Sequence, residues 1–335
     1  IYSSQPLENV CRMDDPIQIL DQVRGDLKHF DIEIQDIEVA SQSENIVYKV
    51  NATEGAFAYR VHRPGYHTLD ELNAEPEGTQ ALADAGFPLP KALPTSSGDY
   101  YLPVQVNGST RYAGVIEWLV GDSMYNLQQD QSSEFICTQL HNLGAMMAQL
   151  HKHSEQWQPS SSFTRHQLDV DGFFGKAPFW GRYWESPGIT KNQRVLLLET
   201  QANIISELKS LGKTNNVYGM IHADLHHGNV HIHNDKMYLI DFDDAGFGWY
   251  LYDLAVAHCE YDLRDDFEDL QAALINGYMT ERDLSQAHRD LMPLFLHIRT
   301  RASIGWATAR PELNLAERIK MLIEKTCESA LLYRH

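Results

Sequence analysis

The chain has 335 residues, of which 43% are hydrophobic and 22% are charged, and its formal net charge is −19 at pH 7. This length can hold two lobes with separate cores, and the composition is that of an ordinary globular protein. The negative charge argues against nucleic-acid binding, which needs a basic surface, and against docking on anionic membranes. No apolar run is long enough to span a bilayer, and no signal peptide is visible at the N-terminus.

The cysteines are widely separated and form no CxxC pair. Such spacing is typical of reduced thiols and not of a disulfide framework or a zinc site. We therefore expect a cytoplasmic protein.

The first part of the chain is predicted to be rich in β-strands, after a polar lead-in and a helix over residues 16–30. Alternating apolar residues predict strands over residues 36–40, 46–51, 57–62, 100–106 and 112–118. A helix is predicted over residues 69–85, with Gly86 as its C-cap. Because Pro76 is unfavourable inside a helix, regular helix is expected to begin near Glu75.

Beyond residue 122 the pattern becomes helical, interrupted by an aromatic, Gly- and Pro-rich segment over residues 154–190. Helices are predicted over residues 133–151, 190–211, 250–259, 265–278, 284–300 and 312–332. This order predicts an α+β, two-lobed fold with a cleft between the lobes. The N-terminal lobe is expected to span residues 1–118, with an extension over 1–30, and the C-terminal lobe residues 119–335.

The most informative stretch covers residues 218–243 and reads YGMIHADLHHGNVHIHNDKMYLIDFD. It predicts three short strands, separated first by a polar loop and then by a tight turn. The loop contains His222, Asp224 and Asn229, and the last strand ends at Asp241. An Asp, then an Asn, then a second Asp after the next strand is the order of a kinase catalytic loop and its metal-binding Asp.

Phosphoryl transfer needs a carboxylate at the attacking hydroxyl, Mg²⁺ held by hard oxygen ligands, and a cation on the nucleotide phosphates. Asp224 suits the catalytic base, and Asn229 and Asp241 suit the metal. Arg60 suits the phosphate cation, and a carboxylate on the predicted helix over residues 69–85 could hold it in place.

Two other interpretations of this stretch stay open. An inactive kinase remnant would keep the same motif. A metal-dependent hydrolase would instead use the local histidines, although strand histidines on a half-exposed face need no metal. These histidines are His222, His226, His227, His231 and His233.

The segments IHADLHHGNV, LIDFDD and WYLYDLAVA together resemble the aminoglycoside phosphotransferase and choline kinase superfamily, whose fold is related to that of protein kinases. FAYRVHRPGYHTLDELNAEPEGTQALADAGFPLPKAL resembles the strand, helix and turn of its smaller lobe, and VIEWLVGDSM resembles its hinge. DGFFGKAPFWGRYWESPGIT resembles the substrate-side insertion of its homoserine-kinase-like bacterial branch. The resemblance covers roughly residues 35–310 and implies an ATP- and Mg²⁺-dependent kinase that phosphorylates a hydroxyl group.

The resemblance also implies roles for individual residues of the catalytic stretch. Asp224 would be the catalytic base, and His222 would support the loop. Asn229 and Asp241 would bind Mg²⁺. Asp253, in the YDLA segment, would brace the catalytic loop from the following helix.

A second set of roles concerns the nucleotide. Arg60 lies where the family usually has a phosphate-binding Lys, and Glu75 is its expected partner. Residues Glu117, Trp118 and Leu119 would offer backbone groups to adenine. A phosphate-covering loop would be formed by Ser43, Glu44 and Asn45.

The sequence departs from the family pattern in three ways. Ala223 replaces the Gly of the usual His-Gly-Asp loop, and because Ala disfavours positive φ we expect an ordinary backbone conformation there. At Arg60 a planar guanidinium replaces the compact ammonium of the usual lysine. The SQSEN turn contains no glycine, so a protein-kinase Gly-rich loop is absent.

The expected acceptor is a small molecule such as an aminoglycoside, an amino alcohol or a homoserine-like compound. A bacterial Ser/Thr protein kinase and a non-catalytic nucleotide-binding pseudokinase are the alternatives. The short segment between Asp241 and the helix predicted from residue 250 disfavours a regulated protein kinase, because it leaves no room for an activation loop. Asp243 and Asp244 are expected to cap that helix, a third metal ligand being the alternative.

The insertion between residues 154 and 190 has two interpretations. Its side chains either line the acceptor pocket or cover the core of a long loop. The side chains concerned are Arg165, His166, Phe173, Phe174, Phe179, Trp180, Arg182, Tyr183 and Trp184.

Overall fold

The fold is described for residues 16–42 and 45–332 from a computed structural model. The strands are β1 (Ile34–Gln42), β2 (Ile46–Ala52), β3 (Gly55–Val61), β4 (Ala92–Leu93), β5 (Tyr101–Val106), β6 (Ser109–Glu117), β7 (Asp122–Ser123), β8 (Gln167–Leu168), β9 (Tyr218–Ile221), β10 (Val230–His233), β11 (Lys236–Leu239) and β12 (Gly246–Trp249). The α-helices are α1 (Leu20–Asp26), α2 (Leu69–Asp84), α3 (Met124–Leu127), α4 (Ser133–Gln156), α5 (Val170–Phe174), α6 (Lys191–Leu211), α7 (Tyr250–His258), α8 (Phe267–Glu281), α9 (Gln286–Arg289), α10 (Met292–Thr308) and α11 (Ala316–Leu332). Short 3₁₀ helices cover Pro16–Ile19, Leu27–Phe30, Tyr183–Glu185, Cys259–Tyr261 and Pro311–Leu313.

The N-terminal part is an antiparallel sheet with the strand order β1-β2-β3-β6-β4, in which β5 also pairs with β6. Strand alternation places Tyr48 and Val50 of β2 in its core. Val23 and Leu27 pack in the same core. The predicted helix over residues 16–30 is α-helical only in α1, and Ile17, near its start, is 68% exposed.

Helix α2 begins earlier than predicted. Thr68 is its N-cap and forms a capping box with Glu71, which satisfies backbone N–H groups of the first turn. The helix then continues through Pro76, which is buried inside it. The prediction that regular helix begins near Glu75 was therefore wrong, because the cap outweighs the proline. At the other end Gly86 follows the C-cap with a φ of 93°, the left-handed conformation that glycine favours.

The C-terminal part is mostly helical and surrounds a second core. Every residue of α7 is buried, so this helix lies at its centre. Two small sheets support the catalytic stretch: β11-β10-β7 and β8-β12-β9. Because β7 follows the segment that leaves the first sheet, its pairing with β10 ties that segment to the catalytic stretch.

The predicted hairpin is formed by β10 and β11, in a register that pairs Val230 with Leu239. Asn234 and Asp235 connect the strands with φ angles of 49° and 60°, as a type I′ turn requires. The predicted tight turn is therefore confirmed. The first strand of the stretch, β9, pairs with β12 instead of with the hairpin.

Two helix predictions in this part need correction. The helix predicted over residues 284–300 is interrupted, since α9 ends at Arg289 and α10 begins at Met292. Asp243 and Asp244 do not cap α7, whose N-cap is Trp249. Both carboxylates are engaged in contacts of the cleft instead.

An antiparallel sheet followed by a helical part agrees with the predicted α+β, two-lobed class. The exact division between residues 118 and 119 stays a prediction. Across residues 16–42 and 45–332, no helix is both long and apolar enough to cross a membrane.

Candidate active site

The residues of the catalytic stretch converge on one cavity of about 370 Å³. Asp224 and Asn229 come from the loop between β9 and β10, and Asp241 follows β11. Arg60 of β3 reaches the same place, because its guanidinium contacts Asp241. Residues that are far apart in the sequence therefore meet in the order that a kinase site requires.

Asp224 is held by hydrogen bonds to both carboxylate oxygens. Arg299 of α10 donates from Nη2 to Oδ1 at 3.0 Å, and Asn229 donates from Nδ2 to Oδ2 at 3.2 Å. The Asn229 Nδ2 also donates to the Asp224 carbonyl at 2.9 Å. These contacts fix the carboxylate while its side chain stays 26% exposed toward the cavity.

The backbone of the catalytic loop differs from the expectation at one residue. Ala223 has a φ of 67°, in the left-handed region, where an ordinary conformation was predicted. The prediction was wrong because a buried carboxylate imposes this geometry. Asp253 of α7 accepts the His222 N–H at 3.0 Å and the Ala223 N–H at 2.6 Å, so the two consecutive amides must point the same way.

His222 connects the loop to the segment after β11. Its Nε2–H donates to the Ile240 carbonyl at 3.0 Å, which leaves Nδ1 to accept the Asp224 N–H at 3.4 Å. The ring is fully buried. This arrangement is that of a loop support, the role that the resemblance implies for His222.

Arg60 is paired differently from the prediction. Its Nη2 lies 2.7 Å from Asp243 Oδ1 and 3.9 Å from Glu75 Oε2, and its Nη1 lies 3.1 Å from Asp241 Oδ1. Glu75 is thus near Arg60 but beyond hydrogen-bond distance, and Asp243 is the close partner. Although burial opposes ionisation, the Arg60 charge holds the pKa of Asp243 well below its usual range.

The oxygen donors at the cavity fit Mg²⁺. Asn229 uses its Nδ2 for Asp224, so its amide oxygen can face a cation, and the Asp241 side chain is 45% exposed. One carboxylate, one amide oxygen and open space for water and phosphate are the set that Mg²⁺ prefers. Asp241 also has a φ of 63°, a left-handed conformation outside glycine.

Of the three backbone amides predicted to meet adenine, at residues 117–119, the structure leaves one available. The Glu117 N–H donates to the Lys91 carbonyl and the Trp118 N–H to the Ala56 carbonyl, both at 2.9 Å. Both amides are therefore engaged within the fold. Within the described ranges the Leu119 N–H makes no hydrogen bond, so it is the amide of this segment that can meet a ligand.

The predicted phosphate-covering loop is described only in part. Ser43 and Glu44 lie outside the described residues. Asn45 lines the 370 Å³ cavity, and its Nδ2 donates to Asp243 Oδ2 at 3.2 Å while its Oδ1 accepts the Arg63 N–H at 3.0 Å. Asn45 is thus fixed beside the Arg60 pair.

Sequence reasoning missed two arginines of the site. Arg299 contacts Asp224 but lies in a helix with no recognisable motif. Arg165 was considered only as a residue of an acceptor pocket or a loop cover. It donates to the carbonyls of Phe242, Asp243 and Ala245 at 2.6–2.7 Å, and it thereby holds the segment after Asp241.

Most of the aromatic insertion covers the core. Phe173, Phe174 and Tyr183 are buried there. Trp180 is the member that also lines the cavity, and its Nε1–H donates to Asp244 Oδ2 at 3.1 Å. The histidines of the catalytic stretch form no cluster of three metal-ligating groups in the part of the chain that the structure describes.

A two-lobed fold with Asp, Asn and Asp gathered at the cleft in this order defines a kinase-like phosphotransferase. The sequence profile of the Phosphotransferase enzyme family matches residues 36–293. The chain therefore belongs to that family.

Individual relatives agree with this assignment. The chain is 24% identical over 270 residues to the amicoumacin kinase of Bacillus subtilis (strain 168). The aligned region covers 77% of this chain and 76% of that protein. The structure of the microcompartment-associated aminopropanol kinase is similar with a TM-score of 0.81 and 26% identity, over 94% of this chain and 97% of that one. Amicoumacin kinase hAmiN, in complex with AMP-PNP, Ca²⁺ and Ami, has a TM-score of 0.74 at 19% identity, over 91% and 93% of the two chains, and shows the fold alone.

The predicted superfamily, the two-lobed α+β fold and the phosphotransferase activity are confirmed by these findings. The roles of the individual site residues stay predictions.

Proposed function

We propose that the chain transfers the γ-phosphate of ATP, in the presence of Mg²⁺, to a hydroxyl group of a small molecule. The observation that carries this proposal is the single cavity lined by Asp224, Asn229, Asp241 and Arg299. Its volume of about 370 Å³ lies in the range of small-molecule sites.

The roles of the chain's own residues follow from their contacts. Asp224 accepts or orients the proton of the acceptor hydroxyl, because its carboxylate faces the cavity in a fixed orientation. Asn229 and Asp241 hold the cation. Arg60 binds nucleotide phosphate, with Asp243 as the residue that keeps it in place. When bound, Mg²⁺ supplies charge neutralisation at the phosphates.

The lining of the cavity favours an acceptor with a positive charge. Carboxylates outnumber arginines among the side chains that line it, so the cavity attracts cations. An amino alcohol or an aminated antibiotic combines such a charge with a hydroxyl group. Similar proteins whose names state an activity, the aminopropanol kinase and the amicoumacin kinase, point to the same classes of acceptor. The lining side chains concerned are Asp224, Asp241, Asp243, Asp244, Glu260, Arg299, Arg318, Trp180 and Trp306.

Radiolabelled ATP separates the three candidate functions. The purified chain is incubated with Mg²⁺ and a panel of amino alcohols, aminoglycosides and homoserine, beside a protein lysate and a reaction without acceptor. Label in a small molecule supports the proposal, and label in protein alone favours a protein kinase. No label in any reaction, with ATP still bound, favours a nucleotide-binding pseudokinase.

Asp224→Asn tests the assignment of the base. We expect turnover to fall by about two orders of magnitude or more with nucleotide binding nearly intact. Asp235→Asn, in the turn of the hairpin that follows this loop, is the matched control and should retain activity, because Asn also tolerates a positive φ. Full turnover in Asp224→Asn would refute the role of Asp224.

A further inference from the structure

A second set of metal-ligating side chains lies beside α2, apart from the residues assigned to Mg²⁺. His67 precedes the N-cap of α2, Glu71 lies in its first turn, and His166 precedes β8. One ligand atom from each lies within 4.8 Å of the others. The three residues come from two separate parts of the chain, so the fold and not the local sequence brings them together.

His166 has the hydrogen bonding of a metal-bound imidazole. Its Nε2 lies 3.0 Å from the Asp244 carbonyl and must donate to it, because a carbonyl cannot donate. Nδ1 therefore carries a lone pair. This Nδ1 is buried and has no hydrogen-bond partner in the described ranges. A metal-ligating histidine usually donates one ring N–H to a backbone carbonyl, a carboxylate or water, and binds the metal through its other ring nitrogen.

His67 is buried, and neither of its ring nitrogens has a hydrogen-bond partner among residues 16–42 and 45–332. Its side chain is 2% exposed. The nearest carboxylates are Asp243 Oδ1, 3.6 Å from Nε2, and Glu71 Oε2, 4.0 Å from Nδ1. Buried polar nitrogens without a partner are unfavourable, and a bound cation would satisfy them.

Both imidazoles are in the form that binds metals. Burial lowers the pKa of His67 to about 4, and burial together with the neighbouring Arg165 charge lowers the pKa of His166 well below its usual value. At both histidines burial disfavours the protonated ring, a direction that agrees with the single N–H donated by His166.

Glu71 can bind a cation without giving up its capping role. Thr68 donates to Glu71 Oε2 from its N–H at 2.8 Å and from Oγ1 at 3.0 Å. Both bonds end on Oε2, which is also the Glu71 oxygen at 4.0 Å from His67 Nδ1, and Oε1 accepts neither of them. Ligands of one ion are separated by at most about 4 Å when each bond is about 2 Å long. A separation of up to 4.8 Å thus requires the side chains to close slightly when the ion binds.

We propose that His67, Glu71 and His166 form a Zn²⁺ site with three protein ligands, which fastens the start of α2 to the segment that follows Asp241. Two imidazole nitrogens and one carboxylate oxygen are a ligand set for Zn²⁺, whereas Mg²⁺ prefers oxygen alone. The fastened segment contains Asp243 and Asp244, which contact Arg60 and the acceptor cavity.

The test is Zn²⁺ binding to the full chain without a polyhistidine tag. The protein is stripped with a chelator and titrated with Zn²⁺ in competition with a chromophoric chelator at pH 7.5. We expect one equivalent to bind, and His67→Gln and His166→Gln each to weaken binding at least about tenfold. Gln at position 166 keeps an N–H for the Asp244 carbonyl but has no ring nitrogen.

Two controls exclude other sites. A double variant of the half-buried hairpin pair, His231→Gln with His233→Gln, and the variant Asp241→Asn should both still bind one equivalent of Zn²⁺. Loss in either control, unchanged binding in both His67→Gln and His166→Gln, or no stoichiometric Zn²⁺ in the unmodified chain would overturn the proposal.

Melting curves keep the test valid if a variant is destabilised. Zn²⁺ should raise the melting temperature of the unmodified chain and of the hairpin control, and not that of His166→Gln. If His67→Gln does not fold, Glu71→Gln replaces it, with the same expected loss of the Zn²⁺ effect. Binding and melting are measured without phosphotransfer, so their outcome does not depend on the proposed reaction.

Discussion

We expect Asp243, and not Glu75, to hold Arg60 in place for nucleotide binding. Two substitutions, each of which removes one negative charge, distinguish the contributions of these carboxylates. Asp243→Asn and Glu75→Gln keep the side-chain volume and leave the rest of the cleft unchanged. The Arg60 side chain is 11% exposed, and the Asp243 side chain 8%, so their 2.7 Å contact is poorly screened by water.

The expected magnitudes follow from these distances. Breaking a buried ion pair by removing one partner costs about 3–5 kcal/mol. Asn keeps a hydrogen-bond acceptor, and Asp241 still faces Arg60 at 3.1 Å. We therefore expect Asp243→Asn to lower the free energy of unfolding by about 2–3 kcal/mol. Glu75→Gln should cost roughly 1 kcal/mol or less, because Glu75 Oε2 lies 3.9 Å from Arg60 Nη2, against 2.7 Å for Asp243 Oδ1.

Urea unfolding and the KM for ATP measure the two effects. We expect Asp243→Asn to raise the KM for ATP about tenfold, which corresponds to about 1.4 kcal/mol, and Glu75→Gln to change it little. Asp235→Asn in the hairpin turn serves as the control for a lost surface carboxylate. The reasoning would be refuted if Glu75→Gln lost as much stability and affinity as Asp243→Asn.

The pH dependence of the same variant gives an independent check. The folded pKa of Asp243 is below the unfolded value of about 3.9, so its contribution to stability is fully present above that value. It is lost as the pH falls further, through the folded pKa. The stability deficit of Asp243→Asn should accordingly stay constant between pH 7 and 5 and shrink below pH 4. A deficit that shrank between pH 7 and 5 would point to a different titrating group.

Four further outcomes are expected. Asp241→Ala should make nucleotide affinity nearly independent of Mg²⁺ in a fluorescence titration, and an undiminished Mg²⁺ effect would contradict its role as a ligand. Arg299→Met should lower kcat about tenfold or more without changing the KM for ATP, while Arg299→Lys should recover part of the loss. In thermal unfolding Ala223→Gly should change stability by less than about 1 kcal/mol, whereas Ala223→Val should cost over about 2 kcal/mol, because a β-branched residue is strained at a φ of 67°. Burial lowers the pKa of His258 to about 4, so the stability that its neutral ring contributes is fully present above the unfolded pKa of about 6.5. As the pH falls from 6.5 to 4, the free energy of unfolding should therefore decrease by up to about 1.4 kcal/mol per pH unit more in the unmodified chain than in His258→Gln.

Features set by neighbouring residues could be predicted from the sequence. A helix was predicted from residue 190, and Thr190 is the N-cap of α6, in a capping box with Gln193. Asn234 and Asp235 form the tight turn of the hairpin, because both tolerate a positive φ. The catalytic stretch was recognisable for the same reason, since Asp224, Asn229 and Asp241 lie within one short segment whose strands fix their order.

Features set by distant residues could not be predicted. Arg299 and Asp224 are 75 residues apart, and the sequence around Arg299 gives no sign of the contact. The conformation of Ala223 was predicted from its own preference, which favours negative φ. The two hydrogen bonds that override this preference come from Asp253, about 30 residues further along the chain. A role for Asp253 was implied by the family resemblance, but its effect on the backbone required the geometry.

The Arg60 contacts also indicate why an arginine can serve where the family usually has a lysine. The guanidinium uses separate nitrogens for its two close partners: Nη2 for Asp243 and Nη1 for Asp241. If Asp241 turns to a cation, as proposed, Nη1 is released toward phosphate while Nη2 keeps its buried anchor. The rigid fork of an arginine holds both groups in one plane, whereas the single ammonium of a lysine has no such fixed division. We therefore expect the exchange of lysine for Arg60 to depend on Asp243, the buried carboxylate that pairs with Nη2 and is not assigned to the cation.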